Sequence, residues 1–306
     1  MILNAYLAVL TVLLPLACSA FTVSPTKFAD KSFALFASVD ESSIPDRRTF
    51  LVSAGLSTLA LASSLGASAA DTPKVLVLGG SGLVGSEVVK KLKSMGVEVV
   101  ATSRNGRDGT VALDVTQPSI NVAETIQDLS KGCSAVISTI GAIGTPEDAA
   151  VNGATGLAAI GAKAAGVSNF VYISVAPEVK EFAKDIEFLQ SYMEGKAFSE
   201  DTITNQFTGD GYSYTIIEPT FIHGGDKFAV NPPRVASTYG KLVEAVLSSG
   251  PFRAATEVAP EGFIKIALEP PVSAESVASA AIAGALGKAS TVLDTYDKIQ
   301  EAAKTV

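Results

Sequence analysis

Hydrophobic residues from position 74 onward alternate between short continuous runs and longer stretches with helical spacing. The run KVLVL at 74–78 has the length of a buried strand, and a helical pattern at 86–94 follows it. Five more strand-like runs lie at 97–102, 110–115, 135–140, 170–175 and 214–217, with helical patterns between them at 121–131, 147–165 and 183–208. This repeated order predicts an α/β fold with a doubly wound, mostly parallel sheet and right-handed crossovers.

A glycine-rich turn joins the first strand to the first helix. Its spacing satisfies both Gly-x-Gly-x-x-Gly and Gly-x-x-Gly-x-x-Gly. Such glycines let the backbone turn sharply and approach a pyrophosphate, while free N–H groups at the helix start bind the anion. The pattern predicts a Rossmann-type dinucleotide-binding domain. The expected cofactor loop comprises Gly79, Gly80, Ser81, Gly82, Leu83, Val84 and Gly85.

The ends of the second and third strands bear on which dinucleotide binds. The second strand runs into Ser103-Arg104-Asn105-Gly106-Arg107, where an NAD-selective enzyme normally has an acid for the ribose 2′-hydroxyl. Ser103 and Arg104 are therefore expected cofactor contacts, and an arginine favours the 2′-phosphate of NADP(H) over NAD(H). Arg104 as a solvated loop cation is the alternative. Asp114 is placed to approach the adenine amino group or, alternatively, to form a turn before Thr116.

Candidate catalytic residues come from two parts of the sequence that this fold brings together. Tyr192 and Lys196 are four apart in a helical stretch, so they share one face. Ser174 ends the fifth strand, on the side where open α/β sheets bind ligands. An adjacent ammonium would lower the pKa of the Tyr192 phenol from about 10 towards neutrality. Tyr192 could then exchange a proton with a carbonyl oxygen held by Ser174, while Lys196 also binds the nicotinamide ribose.

These motifs make the chain resemble the atypical or extended short-chain dehydrogenase/reductases. The resemblance covers about 74–305 and rests on GGSGLVG at 79–85, VNGATGLAAIGAKAAGVSNFVYISV at 151–175, YMEGK at 192–196 and IIEPTFIHGG at 216–225. Within that superfamily the chain is most similar to the quinone-associated branch. That branch includes the nucleotide-binding accessory subunit of respiratory complex I, the ubiquinone-synthesis accessory protein and related plastid proteins, and has a Pro-rich lead-in to its closing helix, as at 270–286.

The resemblance implies further site residues and also shows departures. Asn152 lies where the family often has an Asn that holds a proton-relay water, although it could equally be a helix-start residue. Thr139, Gly141 and Pro219, after the fourth and sixth strands, are further expected cofactor contacts. The family usually has Arg-Pro and Tyr-Gly where this chain has Glu218-Pro219 and His223-Gly224. Ser174 and Tyr192 are also farther apart than in compact members, which implies an insertion before the Tyr192 helix.

The N-terminal residues resemble three consecutive targeting signals. Residues 1–20 have the apolar core and small-residue cleavage site of a signal peptide, and 21–46 are rich in Ser, Thr and Ala like a plastid transit segment. Residues 47–69 open with Arg47-Arg48 and resemble a twin-arginine thylakoid signal. A hydrophobic anchor helix is the alternative. Together they predict the plastid of an alga with complex plastids, in the thylakoid lumen or at the thylakoid, with the stroma as the alternative.

Composition and charge limit the partners. The chain has 306 residues, of which 47% are hydrophobic, and a formal net charge of −8. That sign repels polyphosphate backbones, and no basic stripe offsets it, so no nucleic-acid partner is expected. Cys18 would leave with the signal peptide. The remaining Cys133 is expected to be a buried small hydrophobe, the alternative being a reactive thiol.

Three functions are compatible with the sequence. The first is an NADP(H)-dependent oxidoreductase, in domain 70–306, that transfers hydride to a small apolar carbonyl or quinone-like molecule. The substrate lobe at about 219–272 is rich in Phe, Ala, Val and Pro, which suits an apolar substrate. The second is a nucleotide-stabilised assembly or maintenance factor of a thylakoid membrane complex. The third is a redox sensor that responds to cofactor occupancy. Fold alone does not choose among them.

Overall fold

A computed structural model describes residues 73–226, 229–230, 233–260 and 262–306. The predicted signal peptide at 1–20, transit segment at 21–46 and twin-arginine segment at 47–69 lie outside the described residues. In the part of the chain that is described, no helix is both long enough and apolar enough to cross a bilayer.

Seven parallel strands form the central sheet of the described residues, and the strand that begins at Lys74 lies near its middle. Its strands are β1 (Lys74–Leu78), β2 (Glu98–Ser103), β3 (Val111–Ala112), β4 (Ala135–Ser138), β5 (Asn169–Ile173), β6 (Ser213–Ile217) and β11 (Val292–Leu293). Their order across the sheet is β11-β6-β5-β4-β1-β2-β3. The chain moves outward from β1 in one direction and then returns to β4 on its other side. The predicted doubly wound, Rossmann-type α/β fold is therefore confirmed.

Helices cover both faces of this sheet. The α-helices of the described residues are α1 (Leu83–Ser94), α2 (Val122–Leu129), α3 (Asp148–Ala164), α4 (Pro177–Ala183), α5 (Gln190–Phe207), α6 (Ser237–Leu247), α7 (Gly250–Glu257), α8 (Phe263–Leu268), α9 (Ala274–Ala285) and α10 (Tyr296–Ala303). One buried apolar cluster joins the sheet to α1, α9 and α10. A second cluster joins the opposite face to α2, α3 and α5. The core thus consists of two apolar layers, one on each face of the sheet. The cofactor loop follows β1, at the carboxyl end of that strand.

Small residues let the helices on the second face pack closely. A Cβ atom on Gly161 would lie 2.1 Å from the Ala123 carbonyl oxygen, and one on Gly195 would lie 2.8 Å from the Ala149 oxygen. These glycines bring α2 and α5 against α3 at backbone distance. The close approach of α5 to α3 fixes the position of Lys196, which directly follows Gly195.

Two predicted elements differ from the structure. The third strand, expected at 110–115, pairs only over Val111–Ala112, because the chain turns where Asp114 accepts hydrogen bonds from Thr116. The helix expected at 183–208 begins later, at Gln190, and a 3₁₀ turn at Glu187–Leu189 separates it from an additional helix, α4, which ends at Ala183. Pro177 occupies the first turn of α4, where proline costs no hydrogen bond. Helix α4 is the insertion expected between β5 and the Tyr192 helix.

Residues 219–272 form short strands and helices that are separate from the central sheet. Strand β7 (Ile222–His223) pairs in parallel with β10 (Val272–Ser273), and β8 (Ala229–Val230) pairs antiparallel with β9 (Pro233–Arg234). Helices α6, α7 and α8 lie in the same segment.

Cys133, which lies just before β4, is buried and forms no disulfide. Burial raises the pKa of its thiol, as expected for a small hydrophobe.

Candidate functional site

A cleft of about 410 Å³ opens at the carboxyl ends of β1, β2, β4 and β5. It runs from the second and third strands, past the start of α1, to the helix that carries Tyr192. The predicted site residues that line it are Gly79, Ser81, Gly82, Leu83, Val84, Ser103, Arg104, Thr139, Gly141, Ser174, Tyr192 and Lys196. The structure therefore brings both predicted halves of the site, cofactor loop and catalytic side chains, into one cavity.

The glycine loop has no room for side chains at its turn. Gly79 has a φ of +79°, and a Cβ atom there would lie 2.9 Å from Thr139 Oγ1. Thr139 Oγ1 donates to the Leu78 carbonyl oxygen at 2.9 Å, which ties the end of β4 to the loop. Gly80 and Gly85 do not line the cleft. Their missing side chains instead allow close packing, since a Cβ on Gly85 would lie 2.2 Å from the Gly79 oxygen.

The start of α1 fits a phosphate group. No side chain caps this helix at Gly82, and its first turn contains no acidic residue. The first N–H groups of a helix have no partner within the helix, and they carry the positive end of its dipole. They open at the cleft beside Ser81 and Leu83. The residues present therefore fit the pyrophosphate of a dinucleotide.

Apolar residues line the end of the cleft beside β2 and β3. Leu113, Val115, Val122 and Ile126 form an apolar pocket of a type that receives an adenine ring. Ser103 lies beside them, with its hydroxyl 2.6 Å from Thr110 Oγ1. Asp114 is outside the lining, and its hydrogen bonds to Thr116 favour the predicted turn-forming alternative.

Two arginines, Arg104 and Arg107, line the cleft near the end of β2. Arg104 is exposed, and its Nε lies 3.9 Å from Asp114 Oδ1, a contact that solvent screens strongly. Arg107 donates from Nε to Ser81 Oγ at 2.8 Å, and from a terminal nitrogen to the Ser81 carbonyl oxygen at 3.2 Å. Arg107 thus reaches across to the glycine loop, a contact that its position four residues after Ser103 did not indicate.

Tyr192 and Lys196 project from one face of α5 as predicted, but their electrostatics differ from expectation. Lys196 is buried and donates from Nζ to the Ile173 carbonyl oxygen at 3.0 Å. Its Nζ lies 5.6 Å from the centre of the Tyr192 ring. Burial raises the pKa of Tyr192, and the charges of Asp148 and Glu200 raise it further. The expectation that Lys196 lowers this pKa is wrong, because desolvation and two carboxylates outweigh an ammonium engaged elsewhere.

Asn152 lies behind the cleft and does not line it. Its amide nitrogen donates to the carbonyl oxygens of Ala142 and Asp148, both at 2.7 Å. Its Oδ1 is buried and has no hydrogen-bond partner among the described residues, and it lies 3.3 Å from where a Cβ of Gly141 would lie. Lys196 Nζ lies 3.9 Å from the same point. An unsatisfied acceptor beside a lysine suits the predicted proton-relay water, which remains a prediction.

The Ser174 hydroxyl belongs to a charged network that sequence reasoning missed. Ser174 Oγ donates to Glu200, and Lys180 contacts both Glu200 and Glu218. One signal was present in the sequence: Glu200 follows Tyr192 and Lys196 at the same four-residue interval, so all three share a face of α5. Lys180 could not be found this way, because it lies on the unpredicted helix α4.

Neither Pro219, a predicted cofactor contact, nor His223 lines the cleft. Pro219 is buried, and its carbonyl oxygen accepts from the Ala176 N–H at 3.2 Å. His223 is fully buried, and its Nε2 lies 2.8 Å from Glu244 Oε2. Pro219 is therefore not part of the cleft lining, its contact with a cofactor stays a prediction, and His223 is a core residue.

We expect Lys196→Met to stabilise the protein without ligand. Burial lowers the pKa of Lys196 to about 7, against about 10.4 in an unfolded chain. The unfolded state therefore binds the extra proton, so this lysine reduces stability most below about pH 7, and the loss shrinks as pH rises towards 10. Chemical unfolding at about pH 6 should give the variant a free energy higher by a few kcal/mol, with a smaller gain at about pH 10. Exposed Lys93→Met is the matched control. An equal gain at both pH values would contradict the account.

A protein-family model and a relative from a plant match this chain. A family model described as NAD(P)H-binding matches residues 79–240, more than half of the chain. An uncharacterised chloroplastic protein of Arabidopsis thaliana is 29% identical over 247 residues, which cover 75% of this chain and 77% of that protein.

Two solved structures are similar in fold. MoeE5, in complex with UDP-glucose and NAD, is 19% identical, with a TM-score of 0.46 over 72% of this chain and 74% of its own. A short-chain dehydrogenase/reductase superfamily protein from Agrobacterium tumefaciens with bound NAD is 22% identical, with a TM-score of 0.40 over 60% of this chain and 57% of its own. At these identities the likeness concerns the fold alone. The family match includes the glycine loop, Ser174, Tyr192 and Lys196, and it shows that this chain belongs to the NAD(P)H-binding family.

Proposed function

We propose that this protein is an NADP(H)-dependent oxidoreductase of the short-chain dehydrogenase/reductase type, which transfers hydride to a small apolar carbonyl or quinone-like substrate in the plastid. One observation carries the proposal: Tyr192 and Lys196 line the same cleft as the glycine loop. A protein that used its nucleotide only for stability would not need a phenol and an ammonium at this position.

Different parts of the cleft would hold the adenine, the pyrophosphate and the nicotinamide half of the cofactor. The start of α1 with Ser81 and Gly82 would hold the pyrophosphate, and the apolar pocket around Leu113 and Ile126 would hold the adenine. Lys196 and Gly141 would contact the nicotinamide half. When bound, the nicotinamide supplies or accepts hydride. The protein's own part is to bind, orient and exclude water.

Tyr192 would move the proton in this reaction. Its raised pKa keeps the phenol protonated at neutral pH, so it can donate a proton to a carbonyl oxygen as that oxygen gains charge. Lys196 would lie beside the resulting phenolate and stabilise it whenever the amine is protonated. With a pKa of about 7, the lysine changes charge near neutrality, so turnover should depend on pH in that range.

The substrate end of the cleft is apolar. Ile143, Val151 and Ile222 line it together with Tyr192, and no charged side chain other than Lys196 lines that end in the described residues. This lining favours a small apolar carbonyl or quinone over a sugar nucleotide. It also agrees with the resemblance to the quinone-associated branch, whose motifs extend into the segment that carries Ile222.

We expect the protein to bind NADPH more tightly than NADH, by roughly tenfold or more, because Arg104 and Arg107 offer charge-assisted donors to a 2′-phosphate. Calorimetric titration with both cofactors measures this preference. Arg104→Ala should reduce it by roughly tenfold, whereas Arg104→Lys, which keeps the charge but loses the bidentate fork, should give a smaller reduction. Equal affinities in the wild type would contradict the NADP(H) assignment. An unchanged preference in Arg104→Ala would transfer the role to Arg107.

The proposed location of the protein is the plastid. The Arabidopsis relative is described as chloroplastic, which supports a plastid location, as do the residues at 21–46. Residues 47–69 support the thylakoid, on its lumenal side or in association with its membrane, and the stroma is the alternative. Import of the full chain into isolated plastids, followed by thylakoid fractionation, tests these compartments.

A nucleotide-stabilised assembly or maintenance factor of a thylakoid complex is the second candidate. The observation in its favour is that Ser174 donates its hydroxyl proton to Glu200 and so does not hold it ready for a carbonyl substrate. In that case the cofactor would stabilise the fold, and the partner would be a membrane complex instead of a small molecule. Loss of NADPH turnover in Tyr192→Phe with full rescue of a deletion strain would favour this candidate.

A further inference from the structure

The Ser174 hydroxyl has a fixed direction. Ser174 lines the cleft just beyond β5, and its Oγ is hydrogen-bonded to Glu200 Oε1. Lys180 Nζ lies 2.7 Å from Glu200 Oε1 and 2.8 Å from Oε2, so Glu200 is held as a carboxylate in an ion pair. A carboxylate only accepts hydrogen bonds. The proton of this bond therefore comes from Ser174.

The network that holds Glu200 draws on three separate elements. Glu200 lies on α5, Lys180 lies on α4, and Glu218 directly follows β6. Lys180 bridges the two carboxylates, and its hydrogen bonds to them raise its pKa although burial opposes the change. Lys180 therefore stays charged at neutral pH and keeps Glu200 oriented towards Ser174.

A ligand that reaches Ser174 meets a hydrogen-bond acceptor. With its proton given to Glu200, the serine oxygen keeps lone pairs for the cleft. Lys196 also has its Nζ directed to the Ile173 carbonyl oxygen. A ligand hydroxyl can donate to Ser174, whereas a ligand carbonyl can accept from the Tyr192 phenol but gains no hydrogen bond from Ser174 and leaves the serine lone pairs without a donor, which is costly in a partly buried site.

We propose that Glu200 is a positioning residue that makes Ser174 a hydrogen-bond acceptor, so that the site selects the hydroxyl form of its substrate, an apolar alcohol or hydroquinone. This inference rests on the proposed function and deepens it, since it states which member of the carbonyl–alcohol pair the protein holds more tightly. The serine would then retain the alcohol after Tyr192 has protonated it, or receive the alcohol before its oxidation.

Two probes of equal carbon number test this selection without turnover. With NADP⁺ bound, 1-methylcyclohexanol cannot transfer hydride because its carbinol carbon has no hydrogen, and 4-methylcyclohexanone cannot be reduced. Ligand-observed NMR titration of the protein–NADP⁺ complex gives both dissociation constants. We expect the wild type to bind the alcohol about tenfold more tightly than the ketone, the effect of one hydrogen bond in a desolvated site.

The variants separate a positioning role from a structural one. In Glu200→Gln the amide can donate to Ser174 and free the serine proton for the cleft, so the preference should vanish or reverse. Asp201→Asn, an exposed change of the same type on the same helix, should keep it. Ser174→Ala gives a second test that leaves the network carboxylates in place: the alcohol should bind about tenfold more weakly and the ketone unchanged.

Several results would overturn the inference. They are a wild-type preference for the ketone, an unchanged preference in Glu200→Gln, weaker ketone binding in Ser174→Ala, or a wild type that holds NADP⁺ but binds neither probe. If Glu200→Gln does not fold, the Ser174→Ala result decides alone. Failure of the wild type to bind NADP⁺ would instead contradict the proposed function. The two failures are thus distinguishable.

Discussion

Gly82→Val should abolish dinucleotide binding while the protein remains folded. Gly82 has an extended conformation (φ −78°, ψ 179°) that valine also adopts, and a Cβ there would lie 3.1 Å from the Gly79 carbonyl oxygen. A small shift accommodates that atom. The two valine methyl groups, however, would occupy the space in front of the α1 N–H groups, where the pyrophosphate must lie.

Calorimetric titration with NADPH and a thermal melt of the same samples check this result together. Gly250→Val is the matched control, because Gly250 has open space around its Cβ position and lies outside the cleft. The control should bind NADPH like the wild type. Wild-type affinity in Gly82→Val would mean that the glycine loop serves chain packing alone, and the cofactor site would have to be elsewhere.

Tyr192→Phe should lower turnover by roughly 10²–10⁴-fold, the usual contribution of one positioned acid or base. The ring remains, so packing on α5 changes little and NADPH affinity should stay within about twofold of the wild type. Steady-state oxidation of NADPH with an apolar ketone and with a benzoquinone measures turnover, and calorimetry measures affinity. Lys196→Met should impair both, since Nζ lies 5.6 Å from the centre of the Tyr192 ring and 3.9 Å from the Cβ position of Gly141.

Tyr212→Phe is the control for this prediction. Tyr212 is exposed and lies outside the cleft, so removal of its hydroxyl should leave turnover and affinity unchanged. If Tyr192→Phe turned over at the wild-type rate, the phenol would not be the proton donor. The assembly or maintenance function would then gain support if that variant also rescued a deletion strain.

Local sequence patterns predicted the parts of the site that depend on short-range geometry. The glycine spacing at 79–85 defines a backbone turn, and the four-residue interval between Tyr192 and Lys196 places them on one helix face whatever surrounds them. Ser174 was predictable because parallel strands with right-handed crossovers bring their carboxyl ends together. Each of these inferences needed only the order of elements and the residues at their ends.

The parts that were missed depend on tertiary contacts. Lys180 joins the site only because α4 folds back beside α5, and the sequence pattern predicted no helix at 177–183. The pKa of Tyr192 depends on how deeply α5 packs and on the carboxylates of Asp148 and Glu200, which spacing does not reveal. Asp114 shows a local competition: its short side chain bonds to Thr116 and ends the third strand early.

The most direct test of the oxidoreductase proposal is a single-turnover experiment on the protein–NADPH complex. The complex is mixed with 4-methylcyclohexanone, and with a benzoquinone in a parallel sample, while the nicotinamide absorbance is followed and the organic product is identified by mass spectrometry. The account predicts that bound NADPH is oxidised in step with formation of the alcohol or hydroquinone, and that Tyr192→Phe slows this single step. NADPH that binds in the cleft but stays reduced with both substrates would contradict it.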